Sequence, residues 1–429
     1  MQCLRSTRIL QGLFLILVLA ALAVFTARST RAADFRVYYY ASRVLIEHQG
    51  QLYGPSSGIG WPQYFRYPPL FLLVFLPFAL LPYKLAAAAW VALKCAVLYA
   101  IVRALARRVD FPQSGFWWLV PVLFSSGFVL QEFGLGNAQF LIFGLVAGSL
   151  LALERHEHRS AFLLAFAASL KVWPLFFVPY LAARRRWRVA GQTAIVAAGL
   201  TLLPAAYFGW SGNISLFRQW FVQEWSTSGL GEDSWFPSQS LSGVLQRYLT
   251  LMDYSKWPDP NYLQLHILNL DLQVVLAIWI ILASGAYLSL LWLAHKSSAI
   301  AKGGSPLFLT DALAFCALPL VEPFAHRIAL VVLLWPAVVA GALLARPGFP
   351  SARSKLLLWV AVVVEGLQPL IPGAKVQRLF QVIGVDFGAA CILTAGLLLA
   401  WLELRRMQEA GGSGVLSVSP VNYELSARP

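Results

Sequence analysis

The 429-residue chain has few charged side chains: they make up 12% of its residues, about half the share in an ordinary soluble domain. Hydrophobic residues make up 59%, and the mean hydropathy is +0.67. This composition excludes a soluble globular enzyme, a disordered chain and a fibrous protein. It predicts an all-α polytopic membrane protein, because each crossing needs roughly 20 apolar residues and a helix satisfies its own backbone hydrogen bonds in lipid.

Cysteine and the common catalytic motifs are also scarce. The chain has four cysteines, none in a C-x-x-C pair, which argues against a disulfide framework and against a zinc site. It has no Walker A loop, no G-x-G-x-x-G after a strand, no H-E-x-x-H and no G-x-S-x-G, which argues against soluble nucleotide chemistry. No dense carboxylate cluster suggests a divalent metal, and we expect no cofactor.

The net charge is +14, and the Lys and Arg residues stand in short clusters between apolar runs. In a soluble protein this charge would suggest a nucleic-acid partner, but here the clusters are typical of cytoplasmic loops between spans, and we expect no nucleic acid. Placing the clusters on one side gives about twelve crossings with both termini cytoplasmic. The transmembrane domain then covers residues 1–406, and the Gly- and Ser-rich residues 407–429 form a disordered cytoplasmic tail.

Three apolar segments need interpretation. Residues 9–25 are either a retained first helix, which we favour because the run is long, or a signal peptide cleaved near residues 32–33. Residues 68–102 are interpreted as a short membrane-dipping piece followed by a full helix. Residues 161–183 lie between two basic clusters and contain Lys171, so they form either a hairpin of two half-spans, which we favour, or one tilted span with a snorkelling lysine.

Two long polar and aromatic segments, residues 27–67 and 209–270, are predicted loops that carry short interfacial helices. The topology puts both on the non-cytoplasmic face, together with residues 134–139, Lys171 and residues 322–326. An outward-facing enzyme site is therefore the natural hypothesis. The excess of Arg over Lys favours a GC-rich bacterial gene, so we place the protein in a bacterial plasma membrane.

Asp34 is the carboxylate that we single out for catalysis. It follows the first apolar run and precedes Phe35 and three consecutive tyrosines. A carboxylate between an apolar boundary and aromatic rings loses hydration, which raises its basicity toward the range that suits a general base. On local sequence alone, the N-cap of a helix that begins at Phe35 is the favoured role of Asp34.

Several motifs resemble one known family. They are ADFRVYY (33–39), FRYPPLFLLVFLPFALLP (65–82), GLGNAQ (134–139), SLKVWP (169–174), SQSLSG (238–243) and EPFAH (322–326). Together they are similar to the polyprenol-phosphate-mannose-dependent mannosyltransferases of glycosyltransferase family 87, in the GT-C structural class. Near His326 the chain departs from the usual pattern of that family, which leaves the sugar open between mannose, arabinose and another sugar carried on polyprenyl phosphate.

The resemblance implies a GT-C fold, a membrane-bound polyprenyl-phosphate sugar as donor, and Asp34 as the catalytic base. Asp34 would take a proton from a glycolipid or glycan hydroxyl while that oxygen displaces polyprenyl phosphate, with inversion at the anomeric carbon. Cations at the membrane boundary would pair with the phosphate. The candidates for that task are Lys171, Arg66, Arg247 and His326, with Arg36 as a helper.

The sugar itself would contact a second group of polar and aromatic residues, namely Tyr38, Tyr67, Asn137, Gln139 and Glu322, with Trp61 and Trp235 as further stacking candidates. Each candidate has a simpler interpretation. The arginines are typical surface charges, His326 a packing residue, Asn137 and Gln139 helix caps, and the aromatic rings interfacial anchors. With Glu322 four residues earlier, His326 could be oriented and charged on a shared helical face.

Two other function classes remain open. A multi-pass transporter or lipid flippase would line a mid-membrane path with polar groups, and Lys94 and Glu365 are the main intramembrane charges. A non-catalytic scaffold would tolerate replacement of Asp34. The gathering of polar motifs on one face favours an enzyme.

Overall fold

The computed structural model describes residues 32–47, 51–54, 64–112, 114–227, 238–254, 263–300 and 305–409. Every regular element within these ranges is a helix, which confirms the all-α prediction. The predicted first span at residues 9–25, Trp61 and Trp235 lie outside the described residues. The last helix continues through residues 407–409, and the rest of the predicted tail is outside the description.

Sixteen α-helices follow one another in the described ranges, with short 3₁₀ turns before or after several of them. The α-helices are α1 Ala33–Glu47, α2 Pro69–Ala79, α3 Tyr83–Arg108, α4 Leu119–Leu135, α5 Gln139–Ala152, α6 Glu157–Leu170, α7 Phe177–Ala183, α8 Trp187–Leu202, α9 Ala205–Thr227, α10 Leu241–Leu249, α11 Leu272–Ile300, α12 Ser305–Val321, α13 Leu334–Leu344, α14 Ala352–Leu367, α15 Ala374–Ile383 and α16 Val385–Glu409. The 3₁₀ turns are Gly115–Trp118, Trp173–Phe176, Arg327–Leu333 and Gln368–Leu370.

Five stretches of the described chain are long and apolar enough to cross a membrane, and the bent pair α8–α9 makes a sixth if it counts as one span. The five are Tyr83–Arg108, Gly115–Leu135, Leu272–Ser298, Arg327–Leu344 and Val385–Glu409. The chain is therefore an integral membrane protein. Four further apolar helices of 10–17 residues are shorter than a full crossing, so twelve crossings remains a prediction.

The segment around residues 68–102 has the predicted two parts. The 11-residue α2 begins directly after Pro68, and the 26-residue α3 begins directly after Pro82. Proline suits the first turn of a helix and breaks a helix that precedes it, which explains the division. The short helix is too short to cross, and the long one is a full candidate span.

The segment at residues 161–183 enters and returns. Its first helix ends at Leu170, and Lys171 is extended, with φ −156° and ψ 146°. Lys171 contacts Gln139 at the start of α5, whereas Arg184 contacts Glu154 just beyond the end of α5. The two halves therefore run in opposite directions beside α5, as the hairpin interpretation requires.

The two predicted outer loops carry helices that are longer than expected. The first contains the 15-residue α1. The second contains most of α9, which is bent by 92° from α8 and is interrupted at Gly209, whose φ of 71° and ψ of 167° are not helical. One face of α9 exposes Trp210, Ile214, Phe221 and Trp225, an apolar row typical of a helix that lies in the membrane interface. Helix α15 was not predicted.

Candidate active site

Asp34 lies in the first turn of α1 and is half-buried. The helix begins at Ala33, one residue before it, so the expected N-cap role is wrong: Asp34 is a helical residue. The carboxylate Oδ2 accepts a hydrogen bond of 2.8 Å from the Nδ2 amide of Asn137. The positive end of the α1 dipole also favours an ionised carboxylate in this turn.

The Asn137 amide is oriented by the backbone that follows it. Its Oδ1 accepts a 2.7 Å hydrogen bond from the backbone N–H of Gln139, the first residue of α5, and a 3.4 Å bond from the Tyr67 hydroxyl. The NH₂ group must then face Asp34. The N-cap of α5 is Ala138, not Asn137. The Asn137 carbonyl oxygen nevertheless accepts the first N–H of the helix, while its NH₂ group contacts Asp34.

The hydroxyls of Tyr38 and Tyr67 lie beside the start of α5 and support this arrangement. The two hydroxyls are 2.9 Å apart, and the backbone N–H of Ala138 donates to the Tyr38 hydroxyl at 3.4 Å. Both rings are buried and meet edge to face, with centroids 5.1 Å apart. The geometry makes them part of the support for Asn137, and their contact with a sugar stays a prediction.

Lys171 reaches the same place from the tip of the hairpin. Its Nζ donates to the Gln139 Oε1 at 2.8 Å and lies 5.5 Å from the centroid of the Tyr67 ring. Asp34 and Lys171 are thus held by Asn137 and Gln139, two residues apart at the start of α5. Sequence reasoning selected all four, and the structure brings them together.

The surroundings raise the pKa of Asp34 and lower the pKa of Lys171. Burial raises the pKa of Asp34, while the Asn137 hydrogen bond and the charges of Lys171 and Lys94 oppose that shift. Burial lowers the pKa of Lys171, while Glu322 and Asp34 oppose it. A carboxylate with raised basicity beside a cation is the electrostatic pattern of a general base.

Glu322 and His326 lie in the loop that follows α12. That helix ends at Val321, so the shared helical face expected for these two residues is wrong. Burial raises the pKa of Glu322 to about 7, with Lys171 opposing the shift. Burial, Arg66 and Lys171 lower the pKa of His326 to about 3, so the imidazole is neutral and any contact with a phosphate would be a hydrogen bond, not an ion pair.

Arg66 borders the cluster from the exposed side. It lies 3.8 Å from the Glu224 carboxylate on α9, and its side chain is 44% exposed. The same helix fixes the backbone of this segment, since Gln223 and Trp220 donate to the carbonyls of Phe65 and Arg66. The arginine is placed next to the site by α9, with its charge accessible.

Arg247 is placed differently from the other candidate cations. Its guanidinium is buried and donates to the backbone carbonyls of Val382 and Ser238, each at 2.8 Å. The neighbouring backbone N–H of Gln239 donates to Ala325 at 2.6 Å, so the arginine anchors a segment that braces the residue 322–326 loop. A contact between Arg247 and donor phosphate stays a prediction; the structure shows a bracing role.

A buried ion pair next to the backbone of Asn137 completes the cluster. Lys94 on α3 and Glu132 on α4 are 2.6 Å apart and fully buried. The sequence marked Lys94 only as an intramembrane charge, and no signal within either helix identified Glu132 as its partner. In the described part of the chain, no three His, Cys, Asp or Glu side chains are grouped so as to hold a metal ion.

The model of glycosyltransferase family 87 matches residues 65–303 of the chain. A polyprenol-phosphate-mannose-dependent alpha-(1-2)-phosphatidylinositol pentamannoside mannosyltransferase of Mycobacterium tuberculosis is 25% identical over 258 residues, or 54% of this chain and 59% of the relative. A polyprenol-phosphate-mannose-dependent alpha-(1-2)-phosphatidylinositol mannoside mannosyltransferase of Mycolicibacterium smegmatis is 25% identical over 233 residues, or 50% and 52%.

The matched region spans between half and three fifths of the length of these relatives. Among solved structures, ArnT from Cupriavidus metallidurans bound to undecaprenyl phosphate aligns with 93% of this chain and 78% of its own chain. The alignment has a TM-score of 0.39 and 13% sequence identity.

Proposed function

The chain belongs to glycosyltransferase family 87, and from that membership we propose that it transfers a hexose, mannose first among the candidates, from a polyprenyl-phosphate sugar. The acceptor is a hydroxyl of a glycolipid or glycan on the non-cytoplasmic face of the membrane. The names of the two mycobacterial relatives support a polyprenyl-phosphate donor and mannose. The observation that carries the proposal is the placement of a base and a cation at one helix start.

In the proposed reaction the ionised Asp34 accepts the proton of the acceptor hydroxyl. The acceptor oxygen forms a bond to the anomeric carbon from the face opposite the phosphate, and the bond to polyprenyl phosphate breaks. Lys171 pairs with the departing phosphate, with Arg66 at the exposed edge as a further cation. One displacement inverts the configuration, so a β-linked donor gives an α-linked product.

The rival function, a transporter or flippase, is less well supported. The intramembrane charges that would mark a polar path are paired with one another: Lys94 with Glu132, and Glu365 with Arg327 at 3.1 Å. Their burial in pairs suits a structural or positioning task. A charge that translocates substrate would instead face a cavity.

The test uses the purified full chain in nanodiscs with polyprenyl-phosphate-mannose and candidate glycolipid acceptors. Asp34→Asn should lower transfer by about 10²–10⁴-fold, the usual contribution of a general base, with unchanged folding. Asp110→Asn is the matched control, because Asp110 is exposed and Asn tolerates its left-handed backbone, φ 54°. Undiminished transfer by Asp34→Asn would show that Asp34 is not the general base. Absence of transfer by the wild type would contradict the proposed class of donor.

A second measurement tests the face of the membrane. A single cysteine at position 34 should react with an impermeant maleimide added outside intact cells. Labelling only after the cells are opened would place the site on the cytoplasmic side and contradict the proposed topology.

A further inference from the structure

The Lys94–Glu132 pair makes more contacts than an ion pair needs. The Lys94 Nζ also donates to the backbone carbonyl of Asn137 at 2.9 Å and to that of Glu132 at 3.3 Å. The second oxygen of the Glu132 carboxylate, Oε1, accepts the backbone N–H of Phe140 at 2.9 Å. The pair thus ties together both sides of the turn between α4 and α5.

Helix α3 supplies a second contact to the same turn. Trp90 lies one helical turn before Lys94, so both side chains project from one face of α3. The Trp90 Nε1 donates to the backbone carbonyl of Gly136 at 2.9 Å. Gly136 has φ 68°, a left-handed conformation that ends α4. Two consecutive carbonyls, of Gly136 and Asn137, are therefore held by α3.

Fixing these carbonyls determines where the Asn137 side chain points. Its backbone carbonyl is held by Lys94, and its Oδ1 is held by the N–H of Gln139. With both ends fixed, the only direction left to the NH₂ group is the one it takes, toward Asp34 at 2.8 Å. The ion pair and Asp34 are thus connected through one residue.

We propose that Lys94 is a positioning residue: it holds the turn of residues 132–140 so that the Asn137 amide keeps Asp34 oriented and ionised. Its role in catalysis rests on the proposed function, in which Asp34 is the base. The titratable groups that face Asp34 come from three helices and two connecting segments and are Lys171, Lys94, Glu132, Tyr38 and Tyr67. Lys171 contacts Gln139, whereas Lys94 contacts Asn137, so the two lysines act at separate points.

The experiment measures the protonation of Asp34 directly, without turnover. A hydrophobic carbodiimide modifies protonated carboxyl groups, and mass spectrometry of the Asp34 peptide across a pH series gives the midpoint. In the full chain in nanodiscs, Lys94→Met/Glu132→Gln removes one charge of each sign near Asp34, so the direct effects of the two charges on its pKa oppose each other. Loss of the positioning contact should still raise the midpoint, by about one pH unit. The double variant keeps an acceptor for Phe140 and leaves no unpaired buried charge, so we expect it to fold.

Lys84→Met is the matched control, because Lys84 is on the same helix and exposed; its midpoint should equal that of the wild type. A folded double variant with an unchanged midpoint would overturn the proposal and leave the Lys94–Glu132 pair with a purely structural role. The two hypotheses fail separately. A raised midpoint in a protein that transfers no sugar from polyprenyl-phosphate-mannose would reject the proposed function and retain the positioning of Asp34.

Discussion

The amide of Asn137 donates to the carboxylate of Asp34 at 2.8 Å, although 103 residues separate the two in the chain. The contact joins the first turn of α1 to the turn between α4 and α5. It also favours the charged form of Asp34, against the burial that disfavours it. The balance between these two effects sets the pH range in which a base at this position can act.

Replacing Asn137 should therefore change the pH profile of transfer. Asn137→Ala removes a hydrogen bond to a charged group, worth about 1.5–3 kcal/mol, which corresponds to about one to two pH units. Because the lost bond favoured ionised Asp34, the pKa of Asp34 rises, and the acidic limb of kcat moves to higher pH. The measurement is kcat as a function of pH, and an unmoved limb with reduced rate would mean that Asn137 acts on something other than Asp34.

The sequence predicted the elements of this site better than its contacts. The hairpin at Lys171 followed from two basic clusters that must share one side of the membrane, a constraint visible in a linear pattern. The pairing of Lys94 with Glu132 could not follow in the same way, because 38 residues separate them and no periodicity specifies a partner on another helix. Tertiary contact alone determines that pair.

The loop at residues 322–326 shows a different limit. A spacing of four residues suggested that Glu322 and His326 share a helical face, but the helix ends at Val321. Pro323 explains the end, since proline disfavours the helical conformation of the residue before it. The proline is a local signal in the sequence, and it overrides the four-residue spacing.

Lys171 should be needed for use of the donor more than for folding. A charge-assisted hydrogen bond to phosphate contributes about 1.5–3 kcal/mol, so Lys171→Met should lower kcat/KM for the donor by about 10- to 150-fold. The unfolding temperature should change little, because among the described residues the ammonium donates a single hydrogen bond, to Gln139. Steady-state kinetics with varied donor, beside Lys84→Met, tests this, and normal donor kinetics would remove Lys171 from phosphate binding.

Glu322 should make donor binding depend on pH near neutrality. Its pKa is raised to about 7, so its carboxyl gains a negative charge as the pH rises from 6 to 8. The ionised carboxylate attracts Lys171 and competes with phosphate for it, so the donor KM should rise over this range, by about fivefold for an interaction of about 1 kcal/mol. In Glu322→Gln the KM should be nearly constant over this range. An equal pH dependence in both proteins would show that another group titrates.

The end of the hairpin opposite Lys171 should control stability without affecting chemistry. Arg184 lies 2.6 Å from Asp311, the hydroxyl of Tyr180 donates to the same carboxylate oxygen at 2.7 Å, and both charged side chains are nearly buried. Arg184→Met leaves the Asp311 charge unpaired, which should lower the free energy of unfolding by about 3–5 kcal/mol.

The neighbouring Arg185 is exposed, so Arg185→Met should change the free energy of unfolding by less than about 0.5 kcal/mol. Denaturant unfolding in detergent micelles measures both variants. The folded fraction of Arg184→Met should keep the wild-type kcat, because Arg184 and Lys171 lie beside opposite ends of α5 and only the second is near Asp34. A large loss of kcat in folded Arg184→Met would mean that the two ends of the hairpin are coupled, and that the site is held from the Arg184 end as well as by the turn at Asn137.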